Sequence, residues 1–88
     1  MIIVKEVKIA GDRLVYRLIE DEFPDGTIGY GISVSTTLFG EEEEASVKNI
    51  SIDCEKTERL MMLLADNSVL PSTLREITEE YLAAEYTV

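Results

Sequence analysis

The stretch IGYGISVS, residues 28–35, does more than any other to limit what this chain can become. Ile28, Tyr30, Ile32 and Val34 alternate with Gly29, Gly31, Ser33 and Ser35. Period two is the side-chain repeat of a β-strand, so the segment must be a strand with one apolar face and one face of very small residues. Register is then tightly specified, because a slip of one residue would turn the whole apolar set toward water. Gly29 and Gly31 either leave room for a group to approach the backbone or mark a twist or bulge, and the second reading is preferred.

The flanking segments extend this pattern. IIVKEVKI (2–9) and RLVYRLIED (13–21) are β-branched and apolar runs joined by Ala10-Gly11-Asp12, which suits a hairpin. In the second run Leu14, Tyr16 and Leu18 share an apolar face, and Arg17 marks the wetter side. Pro24 presets a turn with Asp25-Gly26 at its centre. After Gly40 come Glu41–Glu44, read as a loop, and a last strand from about Ala45 to Ile52. Its apolar positions change parity between Val47 and Ile50/Ile52, which predicts a bulge near Lys48-Asn49. The expectation is four antiparallel strands in a meander.

From residue 53 the periodicity becomes helical. Asp53 is placed as N-cap of a helix from Cys54 to about Asp66, with Glu55 in its first turn. Thr57, Leu60, Met61 and Leu64 form its apolar face, widened by Met62 and Leu63. Asn67 and Ser68 end it. Pro71 and the capping-box spacing Thr73…Glu76 start a second helix around residues 71–73 that runs to about Glu85, with Leu74, Ile77, Tyr81 and Ala84 as its stripe. The expected fold is therefore α+β, a single domain over 1–88. An antiparallel sheet of about four strands (1–52) is followed by a C-terminal αα-hairpin (53–88) packed on one face.

Size and charge narrow the function. A chain of 88 residues builds one thin core, burying roughly 60–65% of the surface its unfolded form exposes. Hydrophobic residues at 45% are ample for folding, whereas 18 acidic against 8 basic side chains give −10. The excess lies beyond residue 20: residues 1–20 carry four basic and three acidic groups, 21–52 one and seven, and 53–88 three and eight. Such a field repels phosphate backbones and anionic lipid. The helical half, LLADNSVLPSTLREITEEYL at 63–82, has the outline of a helix-turn-helix, yet from Ser72 to Val88 Arg75 is the only basic residue against four glutamates. Reading DNA needs basic and amide side chains on the second helix, so no direct nucleic-acid binding is expected.

Candidate chemistry is sparse. Glu41–Glu44 lack the spacing of a calcium loop, and consecutive glutamates more often stay hydrated or meet a basic partner than hold a cation. Cys54, the single cysteine, excludes an internal disulfide; at a helix start its thiol has one ingredient of reactivity, but Asp53 and Glu55 oppose it. The chain has no histidine, which removes the commonest general base and the commonest transition-metal ligand. Neither GxGxxG nor a P-loop occurs. No catalytic residue, metal site or cofactor is expected, and the chain is read as not an enzyme. The start MIIVKEVKIAGDR has no basic lead and no long apolar run, and LMMLLA at 60–65 is the longest apolar stretch, so neither leader nor membrane span is expected and the setting is read as cytoplasmic.

Taken together, VYRLIEDEFPDGTIGYGISV and ISIDCEKTERLMMLLADNSVLPSTLREITEEYL resemble a family of small uncharacterised proteins of spore-forming Gram-positive bacteria. The resemblance rests on Gly29-Tyr30-Gly31, on Asp53…Glu58…Leu63-Leu64 and on Pro71-Ser72-Thr73-Leu74-Arg75-Glu76, and covers most of the chain. It implies no activity and no site residue. The sequence therefore points to a non-enzymatic interaction or regulatory module. Glu41, Glu42, Glu43, Glu44, Glu76, Glu79 and Glu80 would be offered to a protein partner of basic character, and a homodimer would cover an open sheet face or edge. An acidic mimic of DNA, with two rows of carboxylates, and a small-ligand module with its cleft near Gly29 and Gly31 are the alternatives.

Overall fold

A computed structural model describes residues 4–9, 12–37, 40 and 42–86. Strands β2 (Asp12–Glu22), β3 (Ile28–Thr36) and β4 (Glu43–Ser51) form an antiparallel meander, followed by helices α1 (Cys54–Asp66) and α2 (Leu74–Tyr86). The class is α+β, as the change of periodicity at residue 53 predicts. The backbone of β1 (Val4–Ile9) lies antiparallel beside β2, with Val4 opposite Arg17 and Ile9 opposite Asp12. Ala10 and Gly11 of the expected hairpin turn lie outside the described residues.

Alternation along β2 and β3 decides which face is covered. Leu14, Tyr16, Leu18, Ile32 and Val34 are buried and meet Met61, Leu64 and Ala65 of α1, Val69, and Leu74 of α2 in one cluster. Each of its leucine, isoleucine, valine and methionine side chains contributes about 1.5–3 kcal/mol on burial. At the outer end of β3 the pattern weakens, and Ile28 is 39% exposed although its parity is that of the core. The turn joining β2 to β3 is closed by Phe23 N–H to Thr27 O at 2.8 Å and Gly26 N–H to Phe23 O at 2.9 Å, with Gly26 at φ +87°. The Asp25 carboxylate accepts the Thr27 N–H at 2.9 Å, which holds its pKa below the ordinary value.

The bulge expected near Lys48-Asn49 is present. Tyr30 pairs with Ser51 and Ile32 with Val47, so two steps along β3 face four along β4, and Asn49 takes φ 56°. The bulge explains the glycines. A Cβ on Gly31 would strike the Val47 carbonyl oxygen and come within 2.9 Å of Lys48 Cα; one on Gly29 would meet Asn49 Oδ1 at 2.8 Å and the Phe23 ring at 2.9 Å. The space beside both glycines is filled by the chain itself.

Helix α1 begins as expected, with the Asp53 carboxylate accepting the Lys56 N–H at 3.3 Å and Asp53 O accepting the Thr57 hydroxyl at 3.0 Å. It ends in a Schellman motif built on a serine: Ser68, at φ 51°, donates its N–H to Ala65 O, and Val69 donates to Leu64 O, both at 3.1 Å. The buried face is Thr57, Met61, Leu64 and Ala65; Met62 and Leu63, expected to widen it, are instead exposed.

The link between the helices is not a surface turn. Val69 and Pro71 are buried, and Pro71–Thr73 form a 3-10 turn that packs on β3 and β4. Thr73 lies inside that turn, its hydroxyl donating to Leu70 O at 3.3 Å, in place of the capping box expected with Glu76. Because this buried segment stands between them, α1 and α2 each rest on the sheet and, among the described residues, share little contact with each other. The expected αα-hairpin is thus two separate helices on one face.

Candidate functional site

Two recesses adjoin Tyr81 of α2, and one of them lies between α1 and α2. On one side of Tyr81 lies a recess of about 630 Å³ between the connection and α2, lined by Val69, Leu70, Thr73 and Ile77 with Asn67, Ser68 and Glu80 at its rim. On the other side Leu60 and Leu63 of α1, Ile50 of β4 and Leu82 of α2 line a recess of about 340 Å³, bordered by Lys56 and Arg59. Tyr81, 36% exposed, belongs to both. Leu63, 39% exposed, lines the second recess on the α1 side. The floor is apolar and the rims are polar and charged, which is the make-up of a surface that trades water for another apolar surface.

The predicted glutamates do not converge on one surface. Glu41 lies outside the described residues. Glu42 precedes β4, but Glu43 and Glu44 belong to the strand, opposite Thr36 and Ser35, rather than to a loop. Glu44 accepts the Ser33 hydroxyl at 3.4 Å, which places it on the sheet face turned away from the helices. Glu76, Glu79 and Glu80 are exposed on α2, in the helical layer. Glu79 shares a shallow recess with Lys48 and Arg75. Of the predicted glutamates among the described residues, Glu80 is the one at the rim of a recess beside Tyr81.

Other features carry little chemistry. Cys54 is half-buried at the first position of α1. Nearby, the Tyr30 phenol is pushed above its ordinary pKa, chiefly by desolvation and then by negative charge at Cys54 and Glu20. Among the described residues no group of three or more Cys, Asp or Glu side chains is placed to hold a metal ion, and no helix is long and apolar enough to cross a membrane.

Sequence reasoning missed the groove because Leu60, Leu63, Ile77 and Tyr81 were assigned to helix stripes facing the core, while Val69 and Leu70 were given no role. The available signal was an excess: α1 carries more apolar positions (Leu60 to Ala65 without interruption) than one face can bury.

Sheet and helices together define a small two-layer α+β protein whose helical layer is open between its two helices. The chain belongs to DUF6514, a family of unknown function whose model matches residues 1–84. No curated protein and no solved structure matches it.

Proposed function

We propose that this chain is a non-enzymatic protein-interaction module that docks a protein partner in the groove between α1 and α2. We place it in the cytoplasm, and the sequence resemblance points to a spore-forming Gram-positive bacterium. The observation that carries the reading is the apolar lining on both sides of Tyr81, with Leu63 exposed beside it. An uncovered apolar surface of this kind gains free energy when a partner excludes water from it. The exposed carboxylates of Glu76, Glu79 and Glu80 favour a partner that turns positive charge toward α2. The alternatives lose their footing: the glutamates of β4 and α2 lie in different layers rather than in paired rows, and the space beside Gly29 and Gly31 is taken by the bulge.

A tagged protein incubated in lysate of the native organism at low and at high salt tests the reading. Capture that is lost in Leu63→Asp, whose side chain already meets solvent, and kept in Arg17→Glu on the opposite sheet face supports it. Equal capture by both variants overturns it.

A further inference from the structure

Tyr81 stands between two recesses that differ in the sign of their charge. In the one lined by Val69, Leu70 and Ile77, the charged residue is Glu80. In the one lined by Leu60, Leu63 and Leu82, the charged residues are Lys56 and Arg59, with no carboxylate among the lining side chains. Residues 53–88 hold three basic side chains, Lys56, Arg59 and Arg75, against eight acidic ones. Two of those three therefore gather at one recess of an otherwise acidic segment, so the sign of that rim runs against the composition around it.

An occupant that spans Tyr81 must suit both rims. It needs an apolar group for each recess, positive charge beside the one that Glu80 borders, and negative charge beside the one that Arg59 borders. Charge of the wrong sign at either rim is repelled, which selects among partners more than it adds affinity. A polyanion such as nucleic acid would meet Arg59 and be repelled at Glu80. A short peptide segment supplies all three features, because its side chains present apolar anchors in a row while their charged neighbours can differ in sign. Resting on the reading of the groove as a docking surface, we infer that the two recesses take one short peptide segment of a partner protein, with a basic residue beside one apolar anchor and an acidic residue beside the next.

The test is selection of short random displayed peptides on the immobilised chain, at about 0.15 M salt so that long-range attraction is largely screened. Peptides that also bind Leu63→Ser, a change that adds no charge of its own, are discarded. Those retained are expected to carry two apolar residues, with Lys or Arg beside one and Asp or Glu beside the other. For one such peptide, read by fluorescence polarisation, Arg59→Glu and Glu80→Lys, both at exposed positions, should each weaken binding about threefold to tenfold. Replacing the peptide's acidic residue by lysine should restore binding to Arg59→Glu, and replacing its basic residue by glutamate should restore binding to Glu80→Lys. Thermal melts of all the variants confirm that the fold is kept. Retained peptides with charge of one sign or none, or exchanges that fail to restore binding, overturn the inference and leave the docking surface standing. A wild type that sediments at twice 9.9 kDa and as a monomer in Leu63→Ser puts a second copy in the recesses and overturns it as well. Failure of the wider reading looks different: no peptide separates wild type from Leu63→Ser, and the docking surface falls together with its occupant.

Discussion

The Tyr16 hydroxyl, inside the core on β2, donates to the Val69 carbonyl at 2.9 Å and joins residues 53 positions apart. This one bond pins the connection between the helices to the sheet, just where the Schellman motif delivers the chain from α1. Tyr16→Phe keeps the ring and removes the donor, leaving a buried carbonyl unpaired. Stability at neutral pH should fall by about 1–2 kcal/mol, measured by urea denaturation. An unchanged midpoint would show that the bond contributes nothing to the folded state.

The same residue shapes the response to alkali. Burial pushes the Tyr16 phenol from 10.0 up to about 12, so the folded chain holds this proton more tightly than the unfolded one. The associated stability is intact below pH 10 and is lost as pH rises toward 12. In Tyr16→Phe the decline across that interval should be visibly shallower. Tyr30, raised in the same direction, leaves a residual slope. Denaturation curves at successive pH values compare the two proteins.

Gly31 and Gly29 should differ in their tolerance of a methyl group. A Cβ at Gly31 meets backbone, the Val47 carbonyl and Lys48 Cα, which can yield only by opening the bulge. At Gly29 the nearest atoms are the far ends of the Asn49 and Phe23 side chains, which can rotate away. Gly31→Ala should cost about 2–3 kcal/mol and Gly29→Ala clearly less. Thermal melts of the two variants decide, and equal costs would contradict the bulge geometry.

Helix α1 offers a comparison between neighbours. Leu64 is fully buried and Leu63 is 39% exposed. Leu64→Ala should lose about 2–5 kcal/mol, whereas Leu63→Ala should change stability by about 0.5 kcal/mol or less. The reverse order would place the core on the other side of the helix.

Thr78 is fully buried on α2, and its hydroxyl oxygen has no hydrogen-bond partner. Thr78→Val keeps the branched shape and removes the unsatisfied group, so it should stabilise the protein by about 1 kcal/mol. A drop in melting temperature would mean that the hydroxyl is satisfied in solution.

What the sequence made legible was periodicity and strong local chemistry. Leu14, Tyr16, Leu18, Ile32 and Val34 were readable as core because strand alternation is strict. Asp53 was readable as a cap, and the parity change between Val47 and Ile50 was readable as a bulge. Ser68 was not readable as the left-handed residue of a Schellman motif, since glycine usually marks that position and serine does so only under tertiary constraint. Nor could periodicity show that Val69 and Pro71 sink into the core and spread the helices; that depends on Tyr16, 53 residues earlier. The groove, a product of that spreading, was hidden for the same reason, and attention fell on the glutamates because charge is visible in one dimension while concavity is not.

The bulge in β4 also bears on a hazard common to small sheets. β4 is an outer strand of its sheet, and an outer strand with regular, unpaired backbone groups is a template on which further chains can add and grow into fibrils. Here four residues of β4 are spent against two of β3, Asn49 leaves the extended conformation altogether, and the strand begins with Glu43 and Glu44. The bulged, acidic strand is therefore a poor template for the addition of another chain along this edge.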